Sequence, residues 1–104
     1  MQKVFRLKEH WTQKADCRDK DGKSVNINYL NEDNIKHIKS FSLQGAVSYY
    51  FSYEKDSVRR YKVMDALKKA IQKYTGKDTP VAQFNDDPNT KFEDIKHVIK
   101  IANV

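Results

Sequence analysis

"FNDDPNTKFED", residues 84–94, decides where the last helix of this chain begins and what precedes it. Thr90-Lys91-Phe92-Glu93 fits the S/T-x-x-E capping box. In that motif the threonine hydroxyl accepts from the Glu93 N–H and the glutamate reaches back to the start of the helix. Phe92, Ile95, Ile99 and Ala102 then fall on one face, with Lys91, His97 and Lys100 outside, so a helix is predicted to run nearly to the end of the chain. Asn85 and Asp86 read as the turn that directs Phe84 into the core, which leaves Asp87 without a structural task.

Working back from this stretch, Val58, Tyr61, Met64, Leu67, Ile71 and Tyr74 recur at threes and fours and predict an amphipathic helix. Glu54-Lys55-Asp56-Ser57 breaks the pattern before it, with Asp56 or Ser57 as cap, and Gly76 is a natural residue just past its end. Pro80 prevents continuation, and Val81–Phe84 is read as a short extended connector. Earlier, Asn31-Glu32-Asp33 offers caps for a helix reaching about residue 53 and carrying Ile35, Ile38, Phe41 and Leu43. Gly45 inside that helix costs about 1 kcal/mol relative to alanine, so the small patch Ser42, Gly45 and Ala46 implies close approach of another element. Tyr49, Tyr50, Phe51 and Tyr53 end the segment, and their helical spacing favours core packing over stacking on bases.

The front of the chain reads differently. Asp19-Lys20-Asp21-Gly22 is a turn signal, followed by Val25, Ile27 and Tyr29 alternating with Asn26 and Asn28. With Ala15–Arg18 as the opposing strand, residues 14–29 form a predicted β-hairpin. The expected fold is a small α+β domain over residues 1–104, a β-rich front (1–30) packed against a back (31–104) of three helices.

Composition bounds the function. At 104 residues, 38% hydrophobic and 33% charged, the chain predicts one polar globular domain that needs no staple. No apolar run approaches the roughly 20 residues of a membrane helix, and MQKVFRLKEHW has no apolar leader-like core. A single cysteine, Cys17, excludes an internal disulfide and fits a reducing compartment, with the cytoplasm, of a bacterium or of a cell a bacterial product enters, as the expected address. Lys+Arg 20 against Asp+Glu 14 gives +6 and a pI near 9.4, a balance that favours acidic partners.

Candidate chemistry is sparse. His10, His37 and His97 are far apart and there is no second cysteine, so no zinc set and no cofactor is predicted. Asn85, Asp86 and Asp87 lack the spacing of a calcium loop. Cys17 as a nucleophile has no local signature beside it and reads as a structural thiol. Thr75-Gly76-Lys77 lacks the first glycine of a P-loop and ends a helix instead of starting one. The basic face of the penultimate helix is better supported. Residues 55–77 carry eight basic and two acidic side chains, a local +6. At 100° per residue Arg59, Lys62, Lys69 and Lys73 lie within one quadrant, with Ala66 between them. They form either an electrostatic footprint or the solvated side of an ordinary helix.

Several landmarks together resemble a family of small bacterial and phage-borne proteins that has no assigned activity. They are Trp11-Thr12-Gln13, a turn ending at Gly22, Phe41-Ser42-Leu43-Gln44-Gly45-Ala46, and Phe84-Asn85-Asp86-Asp87-Pro88-x-Thr90-x-x-Glu93-Asp94-Ile95. Such proteins carry a Leu-x-Gly-Ala helix and a closing aromatic-Asn-Asp-x-Pro-x-Thr-x-x-Glu motif. Ser42 stands where a cysteine is common. The resemblance implies a structural role for Gly45, Ala46, Phe84, Asn85, Asp86, Pro88, Thr90 and Glu93.

The functional expectation is a non-catalytic interaction module that binds an acidic protein partner through Arg59, Lys62, Lys69 and Lys73. Nucleic acid is the alternative partner on the same face. An enzyme using Asp86, Asp87 and a histidine is the alternative from another class. The sequence leaves the oligomeric state open, although the aromatic group at 49–53 could form a dimer face.

Overall fold

Asp19 builds the hairpin turn: its carboxylate accepts from the N–H groups of Asp21 (2.9 Å) and Lys23 (3.0 Å), and Gly22 takes φ +83°. The strands it joins are β1 (Cys17–Asp19) and β2 (Ser24–Val25), antiparallel with Cys17 opposite Val25. The computed structural model describes residues 1–52 and 57–104. In it the second strand stops earlier than the alternation at Ile27 and Tyr29 predicts. The Asn26 carboxamide accepts from the Asn28 N–H at 2.9 Å and starts a 3-10 turn, Ile27–Tyr29, which leaves Tyr29 74% exposed.

The largest correction concerns residues 31–53, which are not one helix. The Asn31 side chain does accept from the Asp33 and Asn34 N–H groups, yet it starts only a short 3-10 turn, Ile35–His37. The chain then extends into β3 (Ile38–Phe41), which pairs with the free edge of β1: Cys17 lies opposite Phe41, Arg18 opposite Ser40 and Asp19 opposite Ile38. The sheet order is β2-β1-β3, with an irregularity between Arg18 and Asp19. Ile35, Ile38 and Phe41 are spaced for a helix, but a β-branched and aromatic run beside an unpaired strand gains more from the ladder. Strand β3 therefore extends the β-rich portion beyond residue 30.

Four α-helices, not three, follow among the described residues: α1 (Leu43–Ser52), α2 (Ser57–Thr75), α3 (Val81–Asp86) and α4 (Phe92–Ala102). Ser42 caps α1, its hydroxyl accepting from the Gly45 N–H at 3.0 Å, while its own N–H donates to the Asp16 carbonyl at 3.0 Å. The β1 lead-in thus runs directly over the first turn of α1. A Cβ on Gly45 would collide with the Asp16 carbonyl oxygen and sit 2.8 Å from its carbon, so the close approach expected at this glycine is present.

Helix α2 buries Val63, Leu67, Ala70 and Ile71, and Gly76 (φ +78°) closes it by donating to the Gln72 carbonyl at 2.8 Å. Part of the predicted apolar stripe is outside: Val58 is 54% and Tyr61 78% exposed, and Tyr74 is partly exposed at the other end. Leu67 and Ile71 fix the helix rotation, and Val58 and Tyr61 lie away from that direction. The predicted break and cap at Glu54, Lys55 and Asp56 and the aromatic Tyr53 lie outside the described residues, as does the side chain of Ser57. Within the aromatic group, Tyr49 and Tyr50 pack on Phe41 at 5.9 and 5.7 Å, and Phe51 is half-buried. No described helix is long and apolar enough to cross a membrane.

Val81–Phe84 is helical and not extended: Phe84 donates to the Pro80 carbonyl at 3.0 Å, and Val81 and Phe84 share the buried side of α3. The start of α4 is also displaced from its expected place. Thr90 spends its N–H on the Asp87 carbonyl (3.0 Å), so the helix begins at Phe92 with Lys91 as N-cap. Asp94, not Glu93, reaches back, its carboxylate accepting from the Lys91 N–H at 2.8 Å. A lysine side chain has no acceptor, so only this half of the box exists. The Tyr74 hydroxyl donates to the other Asp94 oxygen at 2.7 Å and ties α2 to α4.

These two donors, the Lys91 N–H first and Tyr74 second, hold the Asp94 carboxyl below its ordinary range. A depressed folded pKa gives stability that is present above the ordinary carboxylate value and lost as pH falls through the lowered one. Replacing Asp94 with alanine is expected to cost about 1 kcal/mol at neutral pH. It should also flatten the acid limb of a plot of urea midpoint against pH. An unchanged acid limb would contradict this role.

Candidate functional site

Three segments far apart in sequence meet at one side chain. Asn85 is fully buried near the end of α3. Its Oδ1 accepts from the Trp11 indole N–H (2.8 Å) and from the Leu43 backbone N–H (3.0 Å), the first amide of α1. Its Nδ2 donates to the Thr12 carbonyl (3.1 Å) and to Asp86 Oδ1 (2.9 Å), and its carbonyl accepts from the Gln13 amide at 2.9 Å. Every polar atom of the carboxamide is used, and the α1 N-terminus gains an acceptor it would otherwise lack.

The surrounding residues complete this joint. Asp86 Oδ1 accepts from the Lys14 N–H at 2.8 Å, where Lys14 holds φ +62°. The Asp87 carboxylate accepts from the Asn89 N–H at 2.8 Å and its carbonyl from the Gln13 amide at 2.9 Å, so Asp87 also has a structural task. Trp11 packs on Phe92 with ring centroids 6.3 Å apart. Arg18 clamps the loop from the other side, donating to the Thr12 hydroxyl (2.7 Å) and to the carbonyls of Gln13 and Gly22. The reading of Asn85 and Asp86 as a local turn is therefore too small. They latch residues 11–14 and α1 onto the back of the domain. Phe84 is buried as expected, Pro88 lies in the turn after α3, and Glu93 is exposed on the first turn of α4 outside the cap.

The basic face lies elsewhere. Arg59, Lys62, Lys69 and Lys73 are all exposed on α2. Lys69 pairs with Asp65 one turn earlier at 2.9 Å, an exposed contact worth little. The Arg59 guanidinium lies over the Phe51 ring, 5.5 Å from its centroid. Exposed Val58 and Tyr61 stand at the start of the same helix.

Over residues 6–103 the sequence matches the family of unknown function DUF6197. The chain belongs to DUF6197. The match spans all three segments that converge on Asn85. No curated protein and no solved structure matches the chain. The fold of this DUF6197 protein therefore stands on its own geometry.

The cysteine of the DUF6197 chain has a structural place. Cys17 is fully buried in β1, its thiol donating to the Val25 carbonyl at 3.2 Å. Burial first, and the Asp16 charge second, push that thiol up to about 11, the opposite of an activated nucleophile. Among the described residues no group of three or more His, Cys, Asp or Glu could hold a metal ion. A concavity of about 820 Å³ lies between the N-terminal turn (residues 1–7) and α4, with Arg6, Lys96, His97 and Lys100 along its sides. Of these, only the exposed position of His97 and Lys100 was expected from sequence. The groove itself had no local signal, because Arg6 and Lys100 meet only through tertiary packing.

Proposed function

We propose that this DUF6197 protein is a non-catalytic interaction module that binds an acidic protein through the outward side of α2. The observation that carries this reading is the exposure of Arg59, Lys62, Lys69 and Lys73 on one helix of a folded domain whose net charge is +6. Exposed Val58 and Tyr61 at the start of that helix favour a protein over nucleic acid. A cationic row beside an aliphatic and an aromatic side chain has the composition of a protein interface, where Tyr and Arg are enriched. A reducing bacterial cytoplasm is the setting this reading assumes, and the single buried thiol is compatible with it.

The enzymatic alternative draws no support from the geometry. Asp86 and Asp87 both accept backbone N–H groups, and neither lines the groove that His97 borders.

The test uses anisotropy with labelled poly-glutamate and with a labelled DNA duplex, at low and high salt. The triple variant Lys62→Glu, Lys69→Glu, Lys73→Glu is expected to lose poly-glutamate binding. A control of equal charge, Lys20→Glu, Lys23→Glu, Lys39→Glu, should retain most of it. Equal losses in the two variants would reduce the interaction to net charge alone. Tighter, steeply salt-dependent binding to the duplex would move the assignment to nucleic acid.

A further inference from the structure

The groove between residues 1–7 and α4 is lined by none of Arg59, Lys62, Lys69 and Lys73 and has a chemistry of its own. Arg6 stands on its N-terminal wall, and Lys96 and Lys100 stand on the α4 wall. All three are exposed, and no acidic side chain is among the residues that line the groove. Phe5 and Ile99 form the base, both almost fully buried, so the base is apolar but presents no open ring face for a nucleobase. Gln2 and Asn103 add carboxamides, which can both donate to and accept from a peptide backbone.

Spacing narrows the ligand. Lys96 and Lys100 are four residues apart on one helix, a rise of about 6 Å. Alternate residues of an extended peptide are separated by about 6.7 Å along the strand. Carboxylates at positions i and i+2 therefore match the spacing at which the two lysines leave the helix, and the residue between them turns toward the opposite face. A single phosphate would leave most of a groove of about 820 Å³ unfilled.

We infer that this groove seats an extended acidic peptide segment with carboxylates at alternate positions around one apolar residue. Lys96 and Lys100 take the two carboxylates, Arg6 closes over the segment from the other wall, and the apolar side chain between the carboxylates turns toward that wall. This assignment is independent of the α2 face, so either can fail without the other.

The experiment titrates the full chain with a capped Gly-Glu-Leu-Glu-Gly peptide, followed by calorimetry and amide NMR shifts. The same titration is run with Gly-Leu-Glu-Glu-Gly, with inorganic tripolyphosphate and with a short oligothymidylate. The alternating peptide is expected to bind best and to shift the amides of Arg6, Lys96, Ile99 and Lys100. Lys96→Glu with Lys100→Glu should weaken it at least about tenfold, as should Arg6→Glu tested separately. The triple α2 variant should bind it as the unaltered protein does. These side chains are exposed, so thermal melts of the variants should match the unaltered protein. Equal affinity for the contiguous peptide, stronger binding of tripolyphosphate or oligothymidylate, or no effect of the reversals would each overturn the assignment.

Discussion

Asn85→Ala is expected to unfold this domain or come close to it. The substitution removes a fully buried carboxamide and strands three partners at once: the Trp11 indole N–H, the Leu43 amide and the Thr12 carbonyl. Each buried group left unpaired costs about 1–3 kcal/mol, so the sum for three is about 3–9 kcal/mol against a total stability of about 5–15. A chemical denaturation midpoint would register this directly. Asn85→Asp separates hydrogen bonding from shape. It keeps the acceptor for Trp11 and Leu43 but puts a carboxylate against the Thr12 carbonyl and Asp86. Repulsion and burial raise the folded pKa of such an acid. Its penalty is therefore largest above that raised pKa and shrinks as pH falls through it. Near-neutral stability effects from both variants would refute the hub.

Gly45→Ala is expected to destabilise by at least about 3 kcal/mol, against the ordinary rule for a helix interior. In an exposed helix the change gains about 1 kcal/mol from propensity. Here the new methyl group would overlap the Asp16 carbonyl oxygen and lie 2.9 Å from Ser42 Oγ. Asp16 is backbone at the entrance to β1 and cannot swing aside. To make room, the chain must give up the Ser42 N–H bond to the Asp16 carbonyl and the cap from Ser42 to Gly45. A thermal melt would fall by tens of degrees, at about 4–8 °C per kcal/mol for a domain near this size. An unchanged or raised melting temperature would mean that the sheet and α1 are not in contact there.

These two sites also show what could be read from the chain and what could not. The glycine was legible: a residue unfavourable in a helix, flanked by Ser42 and Ala46, implied close approach, and the approach is there. The α+β class and the front hairpin followed from the Asp19–Gly22 turn. Strand β3 did not, because Ile35, Ile38 and Phe41 satisfy helical spacing equally well and the deciding factor was the open edge of β1. The cap of α4 moved by one residue because Thr90 was claimed by the Asp87 turn, a competition that a motif match does not weigh. The latch at Asn85 was visible only as a fixed order of residue types, since its partners Trp11 and Thr12 lie more than seventy positions away and Leu43 lies 42 away. On the surface, Arg59, Lys62, Lys69 and Lys73 were legible as a basic row, whereas the α4 groove depends on packing between the two ends of the chain.

The latch has a consequence for how the protein is made. During synthesis the hairpin, β3 and α1 leave the ribosome well before Asn85 does. Until then the first amide of α1 and the Trp11 indole lack their native acceptor. The front half therefore waits, unsealed, for a segment near the end of the message, and a chain released before residue 85 has no means of closing it. Local hairpin and helix contacts close only short loops, whereas the joint closes one of 72 to 74 residues and carries the larger loop-closure cost.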